Sequence, residues 1–328
     1  MQGRFDHIHV DLRRTRARID LSVVRADRLD EGSVGAYVEN TTYWTPWFRS
    51  ILGMREDHFA VSDHNLSGGL TGDEQASLFQ PKASLVLGPF YKTEFYVSGG
   101  NGFHSNEGRA GVSGDEAALV RPPLLVEAKG YEAGVRSTAI PHLQLAATLF
   151  QTDFASELTY NADAGATEAG RPSRRVGVEL TAQYRPFPWL ELNTNLAATH
   201  ARYRDRDPAG RFIPDAPSCV GGAGCLIDNR GPWFGALAWR DLGSHPLLED
   251  GSVRSPGYQE INANVGYKLS PRLRIRLDVF NLTDSKDNAA DYLYADRISP
   301  TDPADGVTDI HSHPLEPRSA RVTLSATF

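Results

Sequence analysis

Four groups of side chains have types and spacings that could carry chemistry. His7 and His9, and again His311 and His313, form His-x-His pairs. On a strand, residues i and i+2 share a face, so each pair would offer two imidazoles side by side to a metal. Pro314 directly follows the second pair, and solvated loop histidines account for both pairs more simply. Asp302, Asp305 and Asp309 make an acidic cluster among prolines and a glycine. A calcium site needs roughly 6 to 8 oxygens in a defined spacing, which this run does not supply. Cys219 and Cys225 enclose Val-Gly-Gly-Ala-Gly and are the only cysteines. Drawn out as a strand, that stretch holds the thiols about 20 Å apart, beyond disulfide reach. Folded back at its glycines, it lets them close a small disulfide staple in a loop. Both readings stay open. Two thiols without histidine partners fall short of zinc's four ligands. Gly99, Gly100 and Gly102 follow a strand but open a long polar loop rather than a helix, which is not the context of a phosphate loop. No nucleophile with its base and orienting group stands out, nor do paired catalytic carboxylates. An enzyme is not expected, and no metal or cofactor is assigned.

The elements that must position any of these groups are long strands. In residues 258–269, Ile261, Ala263, Val265, Tyr267 and Leu269 alternate with Glu260, Asn262, Asn264, Gly266 and Lys268. Ser270-Pro271 turns the chain, and Leu273, Ile275, Leu277 and Val279 then alternate with Arg274, Arg276 and Asp278. Val176, Val178 and Leu180, then Leu190, Leu192, Leu196 and Ala198, and Leu143, Leu145, Ala147 and Leu149 repeat the pattern. Period-two alternation puts one face of a strand in apolar surroundings and the other in polar ones. Runs of about 8 to 12 residues exceed the roughly 5 to 6 of ordinary strands. They match the roughly 9 to 11 that a tilted strand needs to cross a bilayer.

Tight turns and long polar loops take turns along the chain. The turns fall at Thr45-Pro46, Gly88-Pro89, Ile140-Pro141, Pro186-Phe-Pro188, Gly231-Pro232 and Ser270-Pro271. The loops cover about 62–80, 102–127, 161–172, 204–217, 241–256 and 283–317. Trp44, Trp47, Trp189 and Trp233, with Phe48, Phe90, Tyr91, Phe187 and Phe234, sit within two residues of a turn proline. Short turns at one end, long loops at the other and aromatic rings beside the turns describe an outer-membrane barrel with periplasmic turns, extracellular loops and an interfacial girdle. A propeller blade would divide the same period into four short strands. The expected fold is therefore all-β: an antiparallel transmembrane β-barrel of about 13–14 long strands over residues 35–328. Residues 1–34 are charged and poorly patterned, with one strand expected at 18–25.

The net charge of −7 argues against a nucleic-acid partner. No apolar run is long enough for a membrane helix. The first residues contain no apolar stretch of the kind that leads secretion. A barrel without such a leader is expected to be the downstream part of something longer.

Several stretches resemble one family. Tyr37-Val-Glu-Asn-Thr-Thr-Tyr-Trp-Thr-Pro-Trp47 with Leu52-Gly-Met-Arg55 is similar to a mid-barrel hairpin of TonB-dependent outer-membrane receptors. Pro81-Lys-Ala-Ser-Leu-Val-Leu87, Glu94-Phe-Tyr-Val-Ser-Gly-Gly-Asn-Gly-Phe-His104, Gly130-Tyr-Glu-Ala-Gly-Val-Arg136, Arg175-Val-Gly-Val-Glu-Leu180 and Asp278-Val-Phe-Asn-Leu-Thr-Asp284 follow in the same order. The resemblance implies part of a 22-stranded barrel that, with a plug domain, imports a siderophore, cobalamin or similar scarce ligand across the Gram-negative outer membrane. It implies outer-membrane lipid and the barrel assembly machinery as partners, and the TonB complex only through an N-terminal plug region absent from this sequence. A self-contained passive channel of about 14 strands is the alternative, and a soluble β-rich binding protein or enzyme a remote third. The resemblance also points to Phe103, His104 and Asn106, an aromatic and polar cluster where a strand leaves the lumen, as ligand-binding candidates. Val322, Leu324, Ala326 and Phe328 resemble the C-terminal signal that the assembly machinery reads, by strand addition to an exposed edge. Deleting Phe328 should lower the amount of protein recovered in the outer membrane; unchanged levels on a membrane-fraction blot would refute the signal.

Overall fold

The computed structural model describes residues 1–16, 18–68, 71–105, 123–161, 166–297, 299, 301–303 and 306–327. Its strands are β1 (Gln2–Arg16), β2 (Ile19–Thr45), β3 (Phe48–Asn65), β4 (Gly72–Phe90), β5 (Thr93–Ser105), β6 (Leu125–Ser137), β7 (Leu143–Phe154), β8 (Leu158–Asn161), β9 (Ala166–Ala169) and β10 (Ser173–Phe187). Then come β11 (Leu190–Asp207), β12 (Gly210–Phe212), β13 (Cys219–Arg230), β14 (Trp233–Leu242), β15 (His245–Pro246), β16 (Arg254–Ser255), β17 (Tyr258–Ser270), β18 (Leu273–Phe280), β19 (Asn288–Asp296), β20 (Val307–Pro314) and β21 (Ser319–Ala326). Fourteen of them hydrogen-bond in the order β1-β2-β3-β4-β5-β6-β7-β10-β11-β13-β14-β17-β18-β21. The short pairs β8–β9, β15–β16 and β19–β20 lie in the connections between these strands. Compactness divides the chain into a first unit of Met1–Leu87, Tyr96–Glu132 and Gln151–Arg174 and a second of Gly88–Phe95, Ala133–Phe150 and Arg175–Phe328.

In the first unit, β2 runs for 27 residues, well beyond a membrane's thickness, and pairs with β1 over its first part and with β3 over most of its length. Residues 1–34 therefore hold β1 and much of β2, where one short strand was expected. Leu29, Val61 and Leu124 form a buried apolar cluster, with Val10, Ala76 and Leu125 against it. On the same face as Val61, Arg55 grips the buried Asp57 at 2.5 and 2.6 Å, and Gln80 adds a bond at 2.6 Å. Gly35 stands opposite Asp57, and a Cβ there would lie 2.3 Å from a carboxylate oxygen. Two residues along, Lys82 lies over Gly53, its cross-strand partner, and reaches Glu39 on the strand beyond at 2.7 Å. The opposite face exposes Val34, Val38, Leu52, Met54, Phe79, Leu85 and Leu87.

In the second unit the register aligns the apolar residues into rows. Leu192, Cys225, Leu237, Ala263 and Val279 lie side by side on successive strands. So do Ile227, Gly235, Val265, Leu277 and Val322, and then Tyr267, Ile275 and Leu324. Their neighbours on the other face are Asn193, Asn195, Asn262, Asn264, Arg240, Glu260, Arg276 and Asp278, with Lys268 paired to Asp228 at 2.5 Å and Arg276 to Asp278 at 3.0 Å. Six short turns join long strands, at Pro46-Trp47, Tyr91-Lys92, Pro141-His142, Pro188-Trp189, Gly231-Pro232 and Pro271-Arg272. One of the expected turns moves: β4 continues through Gly88-Pro89, and the reversal falls on Tyr91 and Lys92, whose φ of 49° and 60° suits a two-residue hairpin of the I′ kind.

The two cysteines settle into a single strand. β13 is regular from Cys219 to Ile227, and both thiols are free. The disulfide staple is thus corrected: the glycines between the cysteines do not turn the chain but make room for neighbouring side chains. A Cβ on Gly221 would meet Leu196 at 2.8 Å, one on Gly222 would meet the Asn195 carboxamide at 3.0 Å, and one on Gly224 the Asn193 carboxamide at 2.7 Å. Gly266 does the same for Phe234, whose ring occupies the space of a Cβ to within 2.2 Å. Gly266→Val should therefore displace that ring and cost about 1–3 kcal/mol, read as a lower urea midpoint of the membrane-inserted protein. Gly130→Ala, at a position with nothing within 4 Å of a Cβ, should leave the midpoint unchanged; equal midpoints for both variants would mean that the ring is not seated there.

Candidate ligand-recognition loops

Of the three residues suggested for ligand contact, the fold uses one in packing and separates another from it. Phe103 on β5 meets Phe59 of β3 edge to face, with ring centres 5.4 Å apart. Phe59, with Arg4, Asp6, Glu31, Ser33, Val61, Ser105 and Leu124, lines a cavity of about 110 Å³, too small for more than a few waters. His104, the next residue on the strand, points to the opposite face and is exposed. Asn106 lies outside the described residues, as does Phe328 of the terminal signal. Val322, Leu324 and Ala326 share the apolar face of β21. Gly99, Gly100 and Gly102 are interior to β5 and form no loop.

The connections of the second unit build a more elaborate structure. Where β11 runs into its connection to β13, Ala201 and Tyr203 of β11 make a small buried cluster with Ile213, and Ala216 lies beside it. The Arg202 guanidinium sits 3.8 Å above the Phe212 ring. Phe212 donates its N–H to the Glu249 carbonyl at 2.8 Å, and Asp215 donates its own to Pro246 at 2.9 Å. Those bonds fasten this connection to the next one, which carries β15 and β16. His245, Leu247 and Ser255 of that connection are all buried. Ser255 in turn donates to Asp291 on β19 at 2.6 Å. Three successive connections are thus tied together, the last tie being a side-chain bond to a carboxylate.

Asp291 is 4% exposed and accepts three hydrogen bonds: from Ser255 Oγ at 2.6 Å, Ser312 Oγ at 2.6 Å and Asn288 Nδ2 at 2.8 Å. Burial pushes its carboxyl up, but these donors and the field of His245 outweigh burial and hold it below the usual carboxylate range. Asp215, under the same His245, has no such set of donors among the described residues, and burial pushes it above its ordinary value. His245 Nδ1 lies 3.3 Å from the Gly243 carbonyl oxygen. No spacing rule could have flagged this group, because Ser255 and Ser312 lie 36 and 21 residues from Asp291.

The histidine pairs take up different roles. His7 bonds Asp30 across β1–β2 at 2.5 Å, and the His9 ring meets that of His7 edge to face at 5.3 Å. His311 stacks on Tyr294, with ring centres 3.8 Å apart and planes 9° from parallel. Among the described residues, no three His, Cys, Asp or Glu side chains converge on a point where a metal could sit. Asp302 accepts the Ser299 N–H at 2.7 Å within a turn, and Asp309 belongs to β20, so the acidic cluster is spread out; Asp305 lies outside the described residues.

The family model described as TonB dependent receptor-like, beta-barrel, matches residues 5–282. The chain belongs to that family. Among solved structures, its fold is similar to that of the ferric-catecholate import receptor Fiu of Escherichia coli K12, at 18% identity and a TM-score of 0.71 over 94% of this chain and 46% of that one. It is also similar to the ferric yersiniabactin uptake receptor FyuA of Yersinia pestis, at 17% identity and 0.75 over 99% and 50%. A third is the copper transporter OprC, at 15% identity and 0.65 over 94% and 48%. The chain spans about half the length of these proteins. No curated protein sequence matches it.

For a TonB-dependent receptor the two faces and two ends acquire names. In barrels of this family apolar rows meet lipid and polar ones face inward, with short turns periplasmic and long connections extracellular. Exposed Trp44, Trp47, Tyr91, Phe187 and Trp233 cluster at the turn ends, where amphipathic rings suit the membrane interface. The knot around Asp291 therefore belongs to the extracellular loops. Because Asp291's folded-state value is lowered, its contribution is complete above the unfolded value of about 3.9 and fades only as pH falls through the folded one. Hydrogen exchange over residues 243–257 and 288–314 should be equally protected at pH 8 and pH 5. Asp291→Ala, which leaves buried donors unpaired at about 1–3 kcal/mol each, should strip protection from both segments at pH 7; protection persisting in the variant would show that the loops are held by other contacts.

Proposed function

We propose that the chain is barrel from a Gram-negative outer-membrane receptor that imports a scarce chelated nutrient, a ferric siderophore first among the candidates, with energy supplied through TonB. The observation that carries this reading is the family match across residues 5–282 together with fourteen sequentially paired strands bearing one apolar and one polar face. Two of the similar solved structures are ferric-chelate receptors and a third transports copper, so a metal-bearing cargo is the common thread. The polar inner face supports passage of a hydrophilic ligand, and the extracellular loops, tied into a fixed assembly, suit its first capture. Ligand binding by Phe103 and Asn106 remains part of the proposal, while His104 turns to the face opposite Phe103.

Partners follow from this reading: lipid against the apolar rows, the barrel assembly machinery at the strand ending in Val322, Leu324, Ala326 and Phe328, and TonB through a plug region. The test is growth and labelled-iron uptake under iron starvation. Cells lacking the gene should lose uptake of one ferric chelate, and cells with the gene but without TonB should lose it equally. Uptake of the same chelate that persists without TonB would point instead to passive diffusion through an open pore.

A further inference from the structure

Cys219 and Cys225 lie on one face of β13, in a stretch whose ladders are regular on both sides. Cys219 stands opposite Ala198 and Cys225 opposite Leu192 on β11, while Leu237 of β14 flanks Cys225. Cys225 thus belongs to the apolar row that runs from Leu192 to Val279. Strand geometry sets the two α-carbons about 20 Å apart, whereas a disulfide needs them within about 4.4–6.8 Å. Closing one here would fold residues 220–224 back on themselves and strip their bonds to β11 and β14 together. In hydrocarbon those peptide groups have no water to turn to. The disulfide and the folded strand exclude each other. The unfolded chain behaves in the opposite way. Val-Gly-Gly-Ala-Gly separates the cysteines, and glycine-rich chain is flexible enough to bring its ends together. That flexibility is imposed by packing, because Gly221, Gly222 and Gly224 are the places where Leu196, Asn195 and Asn193 lie against the strand.

We infer that this dithiol is a redox checkpoint on assembly: β13 is built only while both sulfurs are thiols, and the partner that keeps them so is a periplasmic protein carrying a reducing dithiol. This rests on the outer-membrane location proposed above, since a chain bound there crosses the bacterial periplasm before its strands pair, and that compartment is kept oxidising. Oxidation there moves two electrons and two protons from Cys219 and Cys225 to the disulfide of an oxidising protein, which departs as a dithiol. Rescue runs the other way. A thiolate of the reducing protein attacks one sulfur of the Cys219–Cys225 bond and forms a mixed disulfide. Its second thiol then attacks that bond, so both cysteines leave as thiols and the reductant as a disulfide. Each departing sulfur takes up the proton that an attacking thiol gives up. Once β13 is paired, the strand itself holds the two sulfurs out of each other's reach, so the partner acts before insertion and not after it.

The experiment follows newly made receptor, expressed from its gene in a Gram-negative host, with and without the thiol oxidant diamide in the medium. Thiols are trapped in acid and tagged with a maleimide-linked polymer, and the outer-membrane fraction is blotted. In untreated cells the outer-membrane protein should carry two taggable thiols. Diamide should lower newly made parent in that fraction about threefold or more, because a strand closed on itself cannot complete its ladders in lipid, and a disulfide-bonded form should collect outside the fraction. Cys219→Ala and Cys225→Ala, neither of which can form the bond, should each keep their untreated level. A host without periplasmic dithiol reductants should show the same loss of the parent in plain medium and the same protection by either alanine. Disulfide-bonded parent within the outer membrane, or a parent that falls no further than both alanine variants, would overturn the checkpoint. Undiminished parent in the reductant-free host would overturn the partner. The untreated parent's presence in the outer membrane tests the location by itself, and chelate uptake enters none of these readouts, so the import reading and the checkpoint can fail separately.

Discussion

A peptide group in hydrocarbon has no water to bond, so a strand that enters a membrane must find every partner on its neighbours. That requirement governs the rest of this chain. It fixes sequential antiparallel pairing as the simplest arrangement, because each new strand closes the ladder left open by the last. Once pairing is fixed, the two-residue period decides which side chains meet lipid, and a slip of one residue would exchange the faces wholesale. The rows from Leu192 to Val279 and from Ile227 to Val322 are what a correct register looks like from outside. Glycine then becomes a packing residue: β13 thins to hydrogen so that Asn193, Asn195 and Leu196 can lie across it.

The strands were legible because alternation is a local signal that survives without knowledge of neighbours. Residues 258–279 showed it fully. Residues 6–12 also carry it, with Ile8, Val10 and Leu12 set against His7, His9 and Asp11, but the surrounding charge hid the pattern, and β1 went unforeseen. Charge is no obstacle to a strand that pairs beyond the membrane, where both faces can be wet. The glycines of β13 misled in the opposite way: locally they look like a turn, and only the bulk of the adjacent strands explains them. The 62–80 stretch reads as a loop by composition, yet most of it extends β3 and β4.

The loop chemistry was scarcely legible at all. Phe103, His104 and Asn106 stand out in sequence as an aromatic and polar cluster where a strand leaves the lumen, but adjacency on a strand sends Phe103 and His104 to opposite faces. The knot at Asp291 draws its donors from separate stretches of chain, and Ser312 sits unremarked between the two histidines that catch the eye, His311 and His313. Such a group becomes visible only when three connections are folded against one another.

Lys82 offers a different lesson. Its stem crosses the bare backbone at Gly53 to reach Glu39, so one side chain touches the alignment of three strands at once. If either ladder shifted by a single residue during assembly, the ammonium and the carboxylate would end on opposite sides of the sheet, each stranded in the wrong surroundings. The contact adds little to the equilibrium stability of a wet pair. Its value lies in register: a slip of one residue would move the charge to the face that carries the apolar rows, where nothing answers it.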